Sequence, residues 1–158
     1  MQAINPQRKA FLDMLAWSEG TDKPGQPTKN HGYDVIVGGA LFSDYSDHPR
    51  KLVTLNPKLK STAAGRYQLL SRWWDAYRKQ LGLKDFSPAS QDAVALQQIK
   101  ERRALELIDA GDIRQAIDRC SNIWASLPGA GYGQFEHKVD NLIAKFKEAG
   151  GKVNEPKS

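Results

Sequence analysis

Tyr33-Asp34-Val35-Ile36-Val37-Gly38-Gly39-Ala40-Leu41-Phe42 is the stretch on which the fold class turns. Three β-branched residues, two glycines and a second apolar run read as strand, tight turn and strand. Asp44-Tyr45-Ser46-Asp47-His48-Pro49 reads as a second turn, and Lys51-Leu52-Val53-Thr54-Leu55 as a third strand or an extended lip. Nothing else in the 158 residues has a β pattern, so the sheet must be small.

On the N-terminal side lies a turn-rich loop, TDKPGQPTKNHGYD (21–34), and before it a helix. Asn5 is a good N-cap and Pro6 a good first helical residue. Phe11, Met14, Leu15 and Ser18 follow at i, i+3, i+4 and i+7, and Gly20 is a natural stop, so the spacing predicts a helix over 6–19.

On the C-terminal side the pattern is helical from Ser61 onward. Tyr67, Leu70, Trp74, Tyr77 and Leu81 make one stripe, closed by Gly82. Ser87-Pro88 opens a helix with Ala95, Leu96 and Ile99 on one face. Asp112 caps another, whose stripe runs through Ile113, Ala116, Ile117, Cys120, Trp124 and Leu127 to the break at Pro128-Gly129. A last helix carries Phe135, Val139, Leu142, Ile143 and Phe146, stopped by Gly150-Gly151. One helix, a small antiparallel sheet and then several helices give an α+β class.

Composition narrows the function classes. At 40% hydrophobic and 26% charged, the chain has the makeup of a globular domain. The single cysteine, Cys120, excludes an intramolecular disulfide. Charges or glycines interrupt every apolar run before about 18 residues, so no membrane span is expected. The N-terminus has helical spacing instead of a signal-peptide core, which predicts synthesis in the cytoplasm without an export signal. A net charge of +5 suits either a polyanionic wall or nucleic acid. The Lys and Arg residues are scattered singly, without a nucleic-acid-binding motif, so no nucleic-acid partner is expected. His31, His48 and His137 make no metal pattern, and neither a GxSxG elbow nor a phosphate-binding loop is present. No metal or other cofactor is therefore expected.

Glu19 stands out. It lies four residues after Leu15 and eight after Phe11, on the apolar stripe of the first helix, and in the last turn, where the helix dipole disfavours negative charge. Desolvation and the dipole both raise a carboxyl pKa, as a general acid at neutral pH requires. A glutamate frayed into solvent at a helix end is the alternative that spacing alone leaves open. Gln68 offers a donor and an acceptor suited to sugar amides and hydroxyls, or is an ordinary surface residue. The glycine-dense loop around Tyr132 suits closure over a ligand, or a plain interhelical connection. Of the four tryptophans, Trp74 and Trp124 fall on core stripes, and Trp73 is the better candidate for partial exposure.

SEG (18–20), HGYDVIVGG (31–39), DYSDHP (44–49), GRYQLL (65–70) and SNIWASLPGAGYGQ (121–134) together resemble the lambda-type phage endolysins, from about Arg8 to about Gly151. The resemblance implies a lysozyme-like single catalytic domain over 1–158, with a β lobe at about 31–56, a helical lobe formed by the first helix and about 61–150, and a cleft between lobes. It implies peptidoglycan as substrate, cut between N-acetylmuramic acid and N-acetylglucosamine by lytic transglycosylation, which leaves a 1,6-anhydro ring. It assigns Glu19 as the catalytic acid and places sugar contacts on Gln68 and Tyr132, extending the site to Ser126, Asp34 and His31. It further implies a monomer, made in the host cytoplasm, that reaches the wall through a holin's permeabilisation of the membrane. A single carboxylate suffices if the muramic acid's own 6-hydroxyl replaces water. A hydrolytic muramidase would want a second acid, Asp34 or Asp44. Other phage lysozymes carry an Asp nine residues after the glutamate, where this chain has Thr28. A non-catalytic wall-binding module is the alternative from another class.

Overall fold

The computed structural model describes residues 5–124, 126–127 and 137–154. Tyr132 and Phe135 therefore lie outside the described residues. The elements, in order, are α1 (Pro6–Glu19), β1 (Val53–Asn56), β2 (Leu59–Ser61), α2 (Ser71–Leu81), α3 (Pro88–Glu101), α4 (Leu105–Ala110), α5 (Ile113–Cys120) and α6 (Val139–Glu148). The α+β class is as expected.

The first helix has the predicted bounds. Asn5 caps it: its Oδ1 accepts from the Gln7 amide at 2.8 Å and its carbonyl from Lys9 at 2.9 Å. Phe11, Met14 and Leu15 are at most 1% exposed. α2 ends on Gly82 in the left-handed region, as its position suggested. Ser87 receives the Gln91 amide on its carbonyl and opens α3.

The β region differs from the reading. Residues 33–42 form no strand pair; isolated bridges join Val35 to Leu41, Ile36 to Ala64, and Ala64 to Leu69. Three bridges on three partners knit a compact loop layer in place of a ladder, because the chain folds back after Gly38-Gly39 and again at Gly65. The sheet is the next segment: β1 pairs antiparallel with β2 through Val53↔Ser61, Thr54↔Lys60 and Asn56↔Leu59, with an irregularity between Thr54 and Asn56. Thus Lys51–Leu55, the optional third strand, supplies the first strand of the sheet. The helical reading from Ser61 also starts too early. Ser61 ends β2, and residues 62–70 are turns and bridges before α2 begins at Ser71. The stripe from Ile113 to Leu127 likewise outruns its helix, since α5 stops at Cys120. Trp124 and Leu127 stay buried by turns that follow it.

Two compact units emerge, one of Met1–Ser18 with Leu96–Ser158, the other of Glu19–Ala95. Residues 61–95 fall in the same unit as β1 and β2. In the 19–95 unit Ala64, Leu69, Trp74, Phe86 and Val94 form the core, with Phe42, Tyr77, Leu81 and Leu83 packed against it. Trp74 and Phe86 meet edge to face at 5.0 Å. In the other unit Phe11, Ile99, Ile108, Ile113, Ile117, Leu142 and Phe146 are among the buried side chains. No helix among the described residues is long and apolar enough to cross a membrane.

Candidate active site

Glu19 is the last residue of α1 and is half-buried; the last turn of that helix carries no basic residue. The chain leaves the helix through Gly20 at φ 81° and runs straight into Thr21, which is 1% exposed. Thr21 Oγ1 donates to the Arg66 carbonyl at 2.6 Å. That bond holds the end of α1 against the 65–68 turn, which carries Gln68.

Arg66 is the keystone of this region and is 5% exposed. Its Nε donates to the His31 carbonyl at 2.9 Å, one Nη to Tyr67 Oη at 3.0 Å and the other to Asp22 Oδ2 at 3.2 Å. The guanidinium lies 5.3 Å from the Tyr33 ring centroid and 5.5 Å from that of Tyr67. Both phenols donate to Asp92, Tyr67 at 2.6 Å and Tyr33 at 2.9 Å. Burial first, and the Asp92 charge beside it, push the Tyr33 hydroxyl up to about 12. Burial likewise raises Tyr67 well above its ordinary value. Both rings therefore remain proton donors at any physiological pH, and the buried guanidinium is balanced by Asp22 and Asp92.

The residues singled out in the sequence divide into three groups. Glu19, His31, Asp34 and Gln68 share the 19–95 unit. Gln68 is half-buried, with φ at 54°, and its Nε2 donates to the carbonyls of Gly65 (2.9 Å) and Val35 (3.2 Å). Its Oε1 keeps acceptor capacity among the described residues. His31 is exposed, with φ at 51°. Asp34 is 3% exposed, accepting from Thr28 Oγ1 at 2.5 Å and from the Lys29 amide at 2.9 Å. It is thereby committed to shaping the 28–34 loop. Ser126 belongs to the other unit, and its hydroxyl lies 2.6 Å from that of Ser18, the residue before Glu19. Tyr132 lies outside the described residues.

Ser18 has a second anchor that the sequence did not suggest. His137 Nε2 donates to its carbonyl at 3.1 Å, and the imidazole packs on Trp17 with centroids 4.5 Å apart. Lys145 Nζ sits 5.3 Å from the Trp17 ring centroid. Arg66, Asp92 and His137 escaped sequence reading because, Tyr67 beside Arg66 apart, the partners named here lie 25 to 119 residues away. Local spacing carries no trace of such pairs. Trp74 and Trp124 are buried and Trp73 is 47% exposed, as read. Among the described residues no three His, Cys, Asp or Glu side chains converge as a metal site.

Comparison with known proteins gives one consistent picture. The family model described as Endolysin matches residues 9–153. The Endolysin of Escherichia phage lambda is 87% identical over 155 residues, covering 98% of each chain. That of Escherichia phage P2 is 56% identical over 164 residues, covering 96% of this chain and 98% of the other. Among solved structures, bacteriophage lambda lysozyme complexed with a chitohexasaccharide superposes with a TM-score of 0.95 at 87% identity, covering 98% of this chain and all of that one. A second lambda lysozyme structure gives a TM-score of 0.91 at 84% identity, with the same coverage. The fold is accordingly lysozyme-like.

Proposed function

Because the chain belongs to the endolysin family, we propose that it degrades peptidoglycan, cutting the β-1,4 bond between N-acetylmuramic acid and N-acetylglucosamine by lytic transglycosylation. The carrying observation is the position of Glu19, half-buried at the end of α1 with no basic residue in its turn. The glycan class is supported by the chitohexasaccharide in the lambda lysozyme that this chain matches at 87% identity.

Glu19 gives its proton to the glycosidic oxygen as the bond to the anomeric carbon of the muramic acid breaks. The resulting carboxylate takes the proton of the same sugar's 6-hydroxyl, whose oxygen closes on the anomeric carbon. The proton borrowed in the first step is thus returned in the second, and no water is consumed. Gln68 Oε1 accepts from a sugar amide or hydroxyl, while its Nε2 bonds hold the side chain in place. The family resemblance adds Tyr132, Ser126 and His31 to the proposed sugar-binding set. The commitment of Asp34 to Thr28 and Lys29 favours a scheme without a second acid.

The test is digestion of purified peptidoglycan followed by mass spectrometry. Wild-type protein is expected to release muropeptides lighter by one water than their reducing-end counterparts. Glu19→Gln, which keeps shape but not the titratable proton, is expected to lose at least about 100-fold in rate. Reducing-end muramic acid as the main product would replace the transglycosylase reading by hydrolysis. Undiminished lysis by Glu19→Gln would remove the catalytic assignment itself.

Family membership also supports accumulation in the host cytoplasm, with access to the wall only after a holin opens the membrane. Cells producing the protein alone are expected to stay intact until the membrane is permeabilised chemically. Lysis without permeabilisation would contradict this.

A further inference from the structure

Five helices close on a residue in the left-handed region. Four use glycine: Gly20 (φ 81°) after α1, Gly82 (66°) after α2, Gly111 (83°) after α4 and Gly150 (98°) after α6. α3 closes on Arg103 at φ 57°. The hydrogen bonds there are those of a full Schellman ending, Arg103 N to Lys100 O at 2.9 Å and Ala104 N to Ile99 O at 3.1 Å. A side chain at this position strains the backbone, whereas glycine does not. The other left-handed residues with side chains have uses of their own: Arg50 joins Asp47 to Asp75, Gln68 binds two carbonyls, and His31 belongs to the proposed sugar-binding set. The Arg103 guanidinium makes no hydrogen bond or ion pair among the described residues. Strain retained for a side chain without a partner points to an external one.

Arg103 lines a cavity of about 440 Å³ with Arg8, Lys100, Leu105 and Glu106. Arg8 is pre-set in it by Asp109, which takes its Nε at 3.0 Å and Nη2 at 2.7 Å. Three cations thus stand against two carboxylates, Glu106 in the lining and Asp109 behind Arg8, with Leu105 as an apolar wall. The open Arg103 fork, the Lys100 ammonium and the N–H groups of Arg8 that Asp109 leaves over suit a tetrahedral dianion, since each can take a different oxygen. The volume is far beyond a bare oxyanion and suits a group with an organic body. We infer that the Arg8–Lys100–Arg103 cavity is a binding site for a phosphate ester. It lies wholly within the unit of Met1–Ser18 and Leu96–Ser158 and does not depend on the wall-cutting reading.

The phosphate could come from a soluble ester or from a lipid headgroup, and two probes separate them. Calorimetric titration with glycerol 3-phosphate tests the first; cosedimentation with phosphatidylcholine vesicles, with and without phosphatidic acid, tests the second. Three variants accompany the wild type at fixed ionic strength. Arg103→Gly is expected to raise Tm by a few degrees, by relieving the left-handed strain, and to weaken binding at least about tenfold, the loss of one charge-assisted contact. Lys100→Gln is expected to weaken binding similarly. Lys147→Gln, which removes the same charge on α6 outside the cavity, is expected to leave it unchanged. All should digest peptidoglycan like wild type. Saturable binding of either probe, lost in Arg103→Gly and kept in Lys147→Gln, upholds the site and identifies the source. No saturable binding of either probe, or equal weakening by all three variants, would overturn it.

Discussion

Gly32 holds φ at 88°, and a Cβ added there would meet the Thr21 carbonyl oxygen at 2.7 Å and carbon at 2.8 Å. Both atoms are backbone, so neither can swing away. Thr21 is the residue that ties the end of α1 to Arg66. Gly32→Ala is therefore expected to cost about 2 kcal/mol or more in stability, read by urea unfolding, and to lower digestion by the remaining folded protein. An unchanged midpoint would mean the loop absorbs the methyl. Glu19 was legible in the sequence because its oddity is local: a charge on an apolar stripe, one residue before a glycine. Asn5 and Gly82 were legible for the same reason. Arg66 was not, since a cation between Gly65 and Tyr67 looks like solvated surface. Contacts from Asp22, His31, Tyr33 and Tyr67 help to make its burial tolerable. Asp34 entered through the family resemblance, and its bonds to Thr28 and Lys29 could not be read from local spacing.

Elements were read well where one helix face decides burial, and poorly where short segments share partners. α1 and α3 begin where their caps stand. The 33–42 stretch has strand composition, yet composition cannot say whether the partner is the next segment or one thirty residues on. Here Ile36 bridges Ala64, and the expected hairpin reduces to the single Val35–Leu41 bridge. The start of α2 was misplaced because Tyr67, buried, and Leu70, half-buried, precede the helix and yet stand three residues apart, a spacing that imitates one. α4 and α5 are separated at Gly111, where a Cβ would sit 2.8 Å from the Asn154 amide nitrogen. That amide donates to the Gly111 carbonyl at 2.8 Å. Gly111→Ala is expected to detach residues 151–154, with the Asn154 amide exchanging its hydrogen at least about tenfold faster. Unaltered exchange would show that the segment is held by Gln7 alone.

Stability of the whole molecule should fall away on both sides of neutrality. His48 is 3% exposed and burial pushes its pKa below 6.5, so below about that pH the unfolded chain gains a proton that the native one refuses. The Arg50 hydrogen bond holds Asp47 well below the usual carboxylate range, with Trp74 donating to it as well, so a further loss sets in below about pH 4. On the alkaline side burial pushes Cys120 up to about 12, and Tyr33 is held equally high. The unfolded chain releases those protons from about pH 9 to 10, the native one only near 12, so stability declines across that interval. Tm is expected to be highest between about pH 7 and 9, and Cys120 to react with a thiol reagent only as fast as the protein opens. A Tm that stays level from pH 9 to 11 would contradict the buried-thiol and buried-phenol account.

Gln7, near the front of the chain, exchanges hydrogen bonds with Lys152: its Nε2 donates to the Lys152 carbonyl at 2.9 Å, and its Oε1 accepts from the Lys152 amide at 2.6 Å. During translation α1 leaves the ribosome ahead of the residues that close its unit, which come some hundred and forty positions later. A nascent chain therefore carries the segment bearing Glu19 without the support at Ser18 supplied by Ser126 and His137. A chain broken off before Ser126 is expected to lack both of those contacts at Ser18.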